Sequence, residues 1–251
     1  MAVEIWLLWL VGAFLCGSIP FAVILGKAKG VDIRKIGSGN PGATNLGRAV
    51  GKKWGFICFG LDVGKGLVPT VAFCFLLIRA HRDEQMLCTN LNQTFLESLR
   101  IYWGSITGHS VADCLMWTVI AIAAVSGHVF SPFLKFKGGK GVATGLGAAL
   151  GLFPIVTVPG LIAFALWYAV CKLSGYVGLA SVVAAASLPV LTIGSGLVLG
   201  LTPGEIAVFA SLTGVLAALV IVRHRGNLAR IRAGTEPKAS WTGKADPASD
   251  E

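Results

Sequence analysis

Long apolar segments recur along the chain and alternate with shorter polar segments. Seven of them lie near residues 4–26, 54–78, 114–134, 141–156, 158–173, 176–199 and 204–222. Inside a bilayer the backbone N–H and C=O groups have no water to bind, so each crossing segment must be a helix of about 20 residues. The pattern predicts an all-α, polytopic membrane protein with about seven transmembrane helices. The fourth and fifth of these are short and meet near Pro154 and Pro159.

The composition agrees with this pattern. Of the 251 residues, 55% are hydrophobic and 13% are charged, which is about half the charged share of a soluble domain. The net charge is +9, but the basic residues stand between the apolar segments and form no continuous stripe, which favours an anionic lipid or substrate over nucleic acid. The six cysteines lack the spacing of metal ligands, so we predict no metal site and no cofactor.

Lysine and arginine indicate which segments face the cytoplasm, because these residues resist translocation across a membrane. They cluster after the first helix, after the third, at the end of the fifth and after the seventh, whereas the charges of the segment 79–113 balance. The N-terminus is therefore predicted outside and the C-terminus in the cytoplasm, with 79–113 as an extracytoplasmic insert. The basic clusters comprise Lys27, Lys29, Arg34, Lys35, Arg48, Lys52, Lys53, Lys135, Lys137, Lys140, Lys172, Arg223, Arg225, Arg230 and Arg232.

Residues 1–233 are predicted to form a single membrane domain. From about residue 234 the hydrophobic periodicity is lost, and Thr, Pro, Ser, Lys and Asp accumulate. Because such a segment buries too little apolar surface to fold, residues 234–251 are predicted to be a disordered cytoplasmic tail.

A glycine-rich segment, GSGNPGATNLGR, runs from Gly37 to Arg48 after the first helix. Its glycines satisfy GxGxxG, but no strand precedes them, so a dinucleotide site is excluded. A tight turn that caps the next helix would explain the Gly, Pro and Asn residues. The segment also carries hydroxyl and amide donors and a fixed cation, which exceed what a turn needs and are typical of a phosphate site. These residues are Ser38, Asn40, Thr44, Asn45 and Arg48.

A second basic segment, FKGGKGVATG, covers residues 136–145 and leads into the fourth predicted helix. It is not a Walker A motif, because Lys140 is followed by Gly141 and not by Ser or Thr. Two lysines with two glycines between them, Lys137, Gly138, Gly139 and Lys140, place ammonium groups and backbone N–H groups beside a helix N-terminus, which attracts an anion. A plain membrane anchor explains the two lysines equally well.

The last basic segment, RHRGNLAR, follows the seventh helix. His224 and Asn227 lie three residues apart, so on a helix they share a face and can reach one ligand. The arginines of this segment can bind lipid headgroups, but His and Asn add nothing to such an anchor. His224 and Asn227 are therefore candidate functional residues.

Asp62, Lys65 and His128 are ionisable residues that lie well inside the predicted helices. Asp62 and Lys65 stand at positions i and i+3 of the second helix and are predicted to form an ion pair that braces the site. His128 lies near the inner end of the third helix and is interpreted as a hydrogen-bonded packing residue.

With these residues assembled, the chain resembles the bacterial PlsY family of acyl-phosphate:glycerol-3-phosphate acyltransferases up to about residue 236. The resemblance rests on SGNPGATNLGR (38–48), LDVGKG (61–66), GHVFSPFLKFKGGKGVAT (127–144) and RHRGNLARIRAGTE (223–236). It implies that Ser38, His224 and Asn227 are catalytic and that the other motif residues shape the loops of the site. The residues that it implies bind phosphate are Arg48, Lys137, Lys140, Asn40, Thr44, Asn45, Gly138 and Gly139. The chain departs from the family pattern in GYVGLAS, which keeps Ser181 as a phosphate contact but has Gly178 where a serine is expected.

The resemblance implies transfer of an acyl group from acyl phosphate to the 1-hydroxyl of glycerol 3-phosphate, at the cytoplasmic side of the bacterial inner membrane. The sequence has neither the GxSxG nucleophile elbow nor an HxxxxD motif, so direct attack by the glycerol hydroxyl is expected. A transporter or flippase for a phosphate-bearing solute is the alternative. It is less favoured because the basic motifs fall on one predicted face and no inverted repeat is visible.

Overall fold

The computed structural model describes residues 3–85 and 110–239 of the chain. Within those ranges it contains α-helices, two short 3₁₀ turns and no strands, which confirms the predicted all-α class. The helices are α1 (Val3–Ser18), α2 (Phe21–Ala28), α3 (Ala43–Val50), α4 (Lys52–Gln85), α5 (Val111–Val129), α6 (Val142–Gly151), α7 (Thr157–Ser174), α8 (Val177–Val198) and α9 (Pro203–Arg232).

Among the described residues, six helical segments are long and apolar enough to cross a membrane. One of them, Val3–Ala28, contains α1 and α2 together, and the others contain α4, α5, α7, α8 and α9. The fourth predicted helix, 141–156, is represented by α6, which has 10 residues and a length of about 15 Å against a hydrocarbon core of about 30 Å. The count of seven crossing helices and their orientation remain predictions.

The predicted helix 4–26 is wrong in one respect, because it is broken at Ile19 and Pro20 into α1 and α2. Proline has no N–H to continue the helical hydrogen bonds, and its ring displaces the preceding turn. The carbonyl groups released by the break find side-chain donors: Ser131 Oγ donates to Ser18 O at 2.7 Å, and Lys65 Nζ donates to Ile19 O at 2.8 Å. The break therefore ties α1 to α4 and to the loop after α5.

The helices α5 and α9 run parallel and begin side by side. Each starts with a capping box, in which a Ser or Thr at the N-cap and an acid three residues later bind each other's backbone N–H groups. The indole of Trp117 on α5 packs edge-on against Phe209 on α9, and its Nε1 donates to Thr70 O of α4 at 2.9 Å. Because the two helices start together, they also deliver their far ends, with His128 and His224, to one end of the bundle.

The short helix α6 runs parallel to α4 in close contact. A Cβ added at Gly66 would lie 2.1 Å from Thr144 O, and one added at Gly147 would lie 1.9 Å from Val63 O. The next helix, α7, starts beside the end of α6, where Thr157 Oγ1 donates to Leu150 O at 3.0 Å. The chain therefore enters α6 and leaves α7 at the same end of the bundle.

The first six residues of the segment that was predicted to be disordered, 234–239, fall within the described part of the chain. Residues 234–239 are described and lie against the bundle: the Ala239 N–H donates to Gly175 O at 2.9 Å, and Glu236 is 4% exposed. Packing against α7 and α9 supplies the burial that the composition of this segment lacks by itself. Residues 240–251 and most of the predicted insert, 86–109, lie outside the described residues.

The contact between α4 and α6 predicts a sharp difference between two neighbouring glycines. Substituting Gly147→Ala should lower the melting temperature of the detergent-solubilised protein by about 5 °C, because the new methyl group overlaps the backbone of α4. The matched control is Gly145→Ala on the same helix, where no atom lies within 4 Å of the added Cβ. Equal melting temperatures for the two variants would contradict this packing.

Candidate active site

Four segments that are distant in sequence meet at the end of the bundle where α5 and α9 end. Lys140, just before α6, donates from Nζ to Asn227 Oδ1 on α9. The other side of the same amide, Asn227 Nδ2, donates to Glu236 Oε1 at 2.5 Å. Arg48 at the end of α3 donates from Nη2 to Pro237 O at 3.1 Å. The segments that carry Arg48, Lys140 and Asn227 therefore converge.

Within residues 3–85 and 110–239, one buried carboxylate, that of Glu236, lies among the cations of this site. Glu236 Oε2 accepts a hydrogen bond from Arg230 Nε at 2.7 Å, and its other oxygen binds Asn227. Arg48 and Lys140 stand nearby, as does Arg223 of α9. The site therefore carries more positive than negative charge, which favours the binding of an anion.

Burial lowers the pKa of Lys140 to about 8, and this is the strongest influence on its ammonium group. The carboxylate of Glu236 acts in the opposite direction, while the cations Arg230, Arg223 and Arg48 lower the pKa further. Lys140 is thus a cation at neutral pH and loses its proton in the mildly alkaline range.

The ring of His224 has a defined orientation. It is 4% exposed, and its Nδ1 lies 2.7 Å from Val220 O of the preceding helical turn. A carbonyl oxygen only accepts hydrogen bonds, so Nδ1 carries the hydrogen in this contact. In the neutral ring, Nε2 then keeps a lone pair that can accept a proton.

The glycine pair of the second loop does not present free N–H groups, contrary to the prediction. Gly138 N donates to Val129 O and Gly139 N donates to His128 O, both at 3.1 Å, so these donors cap the C-terminus of α5. Their carbonyl groups are bound by one guanidinium: Arg223 Nη2 lies 2.8 Å from Gly138 O and 3.1 Å from Gly139 O. The glycines are needed for close packing, since a Cβ at residue 139 would lie 2.1 Å from His128 Nε2.

In the first loop, Asn45 builds the loop and has no amide group left for a ligand. Its Nδ2 donates to Ile33 O at 2.8 Å and to Ile36 O at 3.1 Å, and its Oδ1 accepts from the Ser38 N–H at 3.2 Å. The predicted contact of Asn45 with phosphate is therefore replaced by a structural role. Ser38 is exposed, and its hydroxyl accepts from the Asn40 N–H at 3.4 Å, which leaves the O–H free to donate.

Two further predicted phosphate ligands, Thr44 and Lys137, have exposed side chains. Neither belongs to the bonded chain that joins Lys140, Asn227 and Glu236. Of the two lysines in the second loop, Lys140 is therefore the one that the fold directs into the site.

Ser181 is a buried residue of α8. Its hydroxyl donates to Val177 O at 2.8 Å and accepts from Trp167 Nε1 at 3.1 Å. The departure at Gly178 has a structural cause in this chain, because a Cβ there would lie 2.7 Å from the Cβ of Asn227. The glycine lets α8 approach α9 at the residue that binds Lys140.

The predicted pair Asp62 and Lys65 is present and buried, with Lys65 Nζ 2.8 Å from Asp62 Oδ1. His128 Nδ1 lies 3.8 Å from the same carboxylate oxygen. The opposite nitrogen of that ring faces Gly139, so the ion pair and the histidine lie directly beneath the second loop. This arrangement agrees with a supporting role for all three residues.

An apolar groove leads away from the cations between α6, α7 and α8. Counted with its open mouth, the space between these helices is about 680 Å³. Gly141, next to Lys140, and Val220, whose carbonyl binds His224, line it at the end near the cations. The wall includes Phe164, which stacks on Trp167 with ring centroids 5.6 Å apart. A cationic site and an apolar groove are thus continuous.

Sequence analysis did not assign roles to Glu236, Arg230 or Arg223 in this site. The arginines had been interpreted as headgroup anchors, and the structure gives both of them partners within the protein. One signal could have identified the carboxylate, since Glu236 is the first acidic residue after Glu205 and follows four arginines.

The fold and the site define a polytopic membrane protein with a cationic pocket at one end and an apolar groove beside it. Comparisons with known proteins agree on one family. The profile described as glycerol-3-phosphate acyltransferase matches residues 7–234. The chain belongs to this family, the PlsY family of glycerol-3-phosphate acyltransferases.

Individual relatives match over nearly their whole length. The glycerol-3-phosphate acyltransferase of Trichlorobacter lovleyi is 38% identical over 232 residues, which are 92% of this chain and 96% of that protein. That of Endomicrobium trichonymphae is 40% identical over 233 residues, covering 92% and 94%. The crystal structure of PlsY (YgiH), an integral membrane glycerol 3-phosphate acyltransferase in its glycerol 3-phosphate form, has a TM-score of 0.69 and 33% identity over 93% of this chain and 94% of that one.

The hydrogen bonds of Asn45 predict that its loss destabilises the first loop. Asn45→Ala leaves Ile33 O, Ile36 O and the Ser38 N–H without their partners. The bond to Ile33 O is buried, and a buried group left unpaired costs about 1–3 kcal/mol. We expect a melting temperature several degrees lower and faster amide hydrogen exchange around residues 33–39. Thr44→Ala, at the exposed neighbouring position, should change neither measurement, and the same response from both variants would contradict the structural role of Asn45.

Proposed function

We propose that this protein transfers an acyl group from acyl phosphate to the 1-hydroxyl of glycerol 3-phosphate, producing lysophosphatidic acid and inorganic phosphate. The observation that carries the proposal is the continuity between the cationic pocket and the apolar groove. Both substrates bear phosphate, and one of them also bears a hydrocarbon chain. A site for this reaction must therefore hold anions and an acyl tail side by side.

Arg48 and Lys140 hold the phosphate groups in this proposal. The guanidinium of Arg48 has five N–H donors, and Pro237 O accepts only from its Nη2. The ammonium of Lys140 has three hydrogens and uses one on Asn227. The helix α6 starts directly after Lys140, and its N-cap Gly141 makes no side-chain cap, which leaves first-turn N–H groups for an oxyanion.

The chemistry needs orientation and charge stabilisation more than a strong base, because the phosphate of a mixed anhydride is a good leaving group. The glycerol 1-hydroxyl attacks the acyl carbon, a C–O ester bond forms, and the bond from that carbon to the phosphate oxygen breaks. The proton of the hydroxyl passes to Nε2 of His224, whose other nitrogen is engaged by Val220 O. Ser38 and Asn227 orient the acyl phosphate, and the hydroxyl of Ser38 is free to donate to developing oxyanion charge.

The acyl tail occupies the apolar groove while its phosphate stays among the cations. This arrangement lets a lipid-soluble donor meet a water-soluble acceptor at the edge of the membrane. The basic loops support a position of that edge at the cytoplasmic side of the bacterial inner membrane, because lysine and arginine resist translocation. The reaction as written requires no cofactor.

The test is direct assay of the purified protein in lipid nanodiscs with acyl phosphate and radiolabelled glycerol 3-phosphate. Arg48→Ala and Lys140→Ala should each lower kcat/KM by about 100-fold, the size expected for loss of a charge-assisted phosphate contact. Lys137→Ala is the matched control and should stay within about threefold of the unmodified protein. Absence of lysophosphatidic acid and phosphate with the unmodified protein would refute the proposed function.

The lowered pKa of Lys140 predicts how binding depends on pH. Below about pH 8 Lys140 is charged, and the KM for the phosphate substrate that it holds should be constant. Above this pH the cation is lost and that KM should rise. The rise is no more than about tenfold per pH unit, because binding depends on one proton. The measurement is a KM profile for both substrates from about pH 6.5 to about pH 9.5. This range extends about one unit or more on either side of the transition. Lys140→Arg keeps its charge throughout, so any residual activity should lack the alkaline rise.

A further inference from the structure

We infer that Arg223 is a positioning residue. It fixes the position of Lys140 by binding the two preceding residues, Gly138 and Gly139. The inference rests on the proposed function and adds a residue that touches the loop and not the substrate. Its basis is the pair of hydrogen bonds from one guanidinium nitrogen to the carbonyl groups of Gly138 and Gly139.

The glycine pair is held from two sides. Its N–H groups bind the C-terminal carbonyl groups of α5, and its carbonyl groups bind Arg223 of α9. Neither glycine can gain a side chain, because a Cβ at residue 138 would lie 2.0 Å from His128 O. Because the backbone of residues 138–139 is held on both sides, the backbone position of the next residue, Lys140, is defined as well.

The helix α9 contacts this loop at two points. Arg223 binds the backbone of residues 138–139, and Asn227, one turn further along, accepts a hydrogen bond from the Lys140 ammonium group. Because both contacts come from one rigid turn of helix, the backbone and the side-chain end of Lys140 are aligned together. Removing Arg223 would free the backbone while the side-chain contact remained.

The charge of Arg223 has a second, separable effect. Lys140 is faced by Arg48 from α3, by Arg223, His224 and Arg230 from α9, and by Glu236 from the segment after α9. Arg223 is one of the cations that disfavour the charged ammonium form. Loss of this cation should therefore move the alkaline rise in KM to a higher pH, which a purely structural residue would not do.

Three variants separate geometry from charge. Arg223→Gln removes the positive charge and the hydrogen bonds of the guanidinium to the loop. Arg223→Lys keeps the positive charge but lacks the planar guanidinium. Arg225→Gln removes a positive charge from an exposed neighbouring residue. For Arg223→Gln we expect a KM about tenfold higher for the substrate held by Lys140, a smaller change in kcat, and an alkaline rise that begins at a higher pH. Arg223→Lys should raise KM less and leave the pH of the rise unchanged, and Arg225→Gln should change neither.

A measurement independent of turnover accompanies the kinetics. Amide hydrogen exchange at Gly138 and Gly139 should be faster in Arg223→Gln than in Arg225→Gln, because the clamp on the loop is lost. If both KM values and the alkaline rise in Arg223→Gln match those of Arg225→Gln, or if only kcat and melting temperature fall, the positioning role is wrong. Failure of the unmodified protein to form lysophosphatidic acid would instead refute the proposed function, and the exchange comparison would still decide whether Arg223 holds the loop.

Discussion

The hydrogen bond between Lys140 and Asn227 is the contact on which the rest of the site depends. It joins two segments that are 87 residues apart, and it holds an ammonium group that is partly buried. A partly buried cation is unstable unless polar partners compensate its lost hydration. Asn227 supplies an oxygen directly, and Glu236 stabilises that amide from its other side. The segment after α9 therefore belongs to the site, although it begins beyond the last predicted helix.

Close approach of backbones, more than the presence of glycine N–H groups, explains the glycines around this contact. Gly138 and Gly139 fit against His128, Gly178 fits against Asn227, and Gly147 fits against α4. In each case a side chain would overlap an atom of a neighbouring segment. The same residue type that is typical of phosphate loops serves here to bring together the helices that carry the polar groups.

The position of the site at the end of the bundle reconciles opposite solvation requirements. Arg48 and Ser38 are exposed and can meet a soluble acceptor, while Val220 and Gly141 begin a groove lined by aromatic and aliphatic side chains. His224 stands where the two environments meet, and its bond to the Val220 carbonyl orients the ring. Polar chemistry and lipid solvation are therefore separated by about one turn of α9, roughly 5 Å along the helix axis.

The sequence by itself determined the class of the protein and predicted three of the four segments that meet at the candidate site. Apolar segment length requires helices in a bilayer, and the pairing of Asp62 with Lys65 follows from their spacing on one helix face. Only the tertiary structure decided which polar groups remain free. Asn45 has the right chemistry for phosphate but its amide is used by Ile33, Ile36 and Ser38, which no local pattern shows. Glu236 and Arg223 gained their roles through contacts with residues distant in sequence, because a side chain's partners are set by how helices pack and not by its neighbours in the chain.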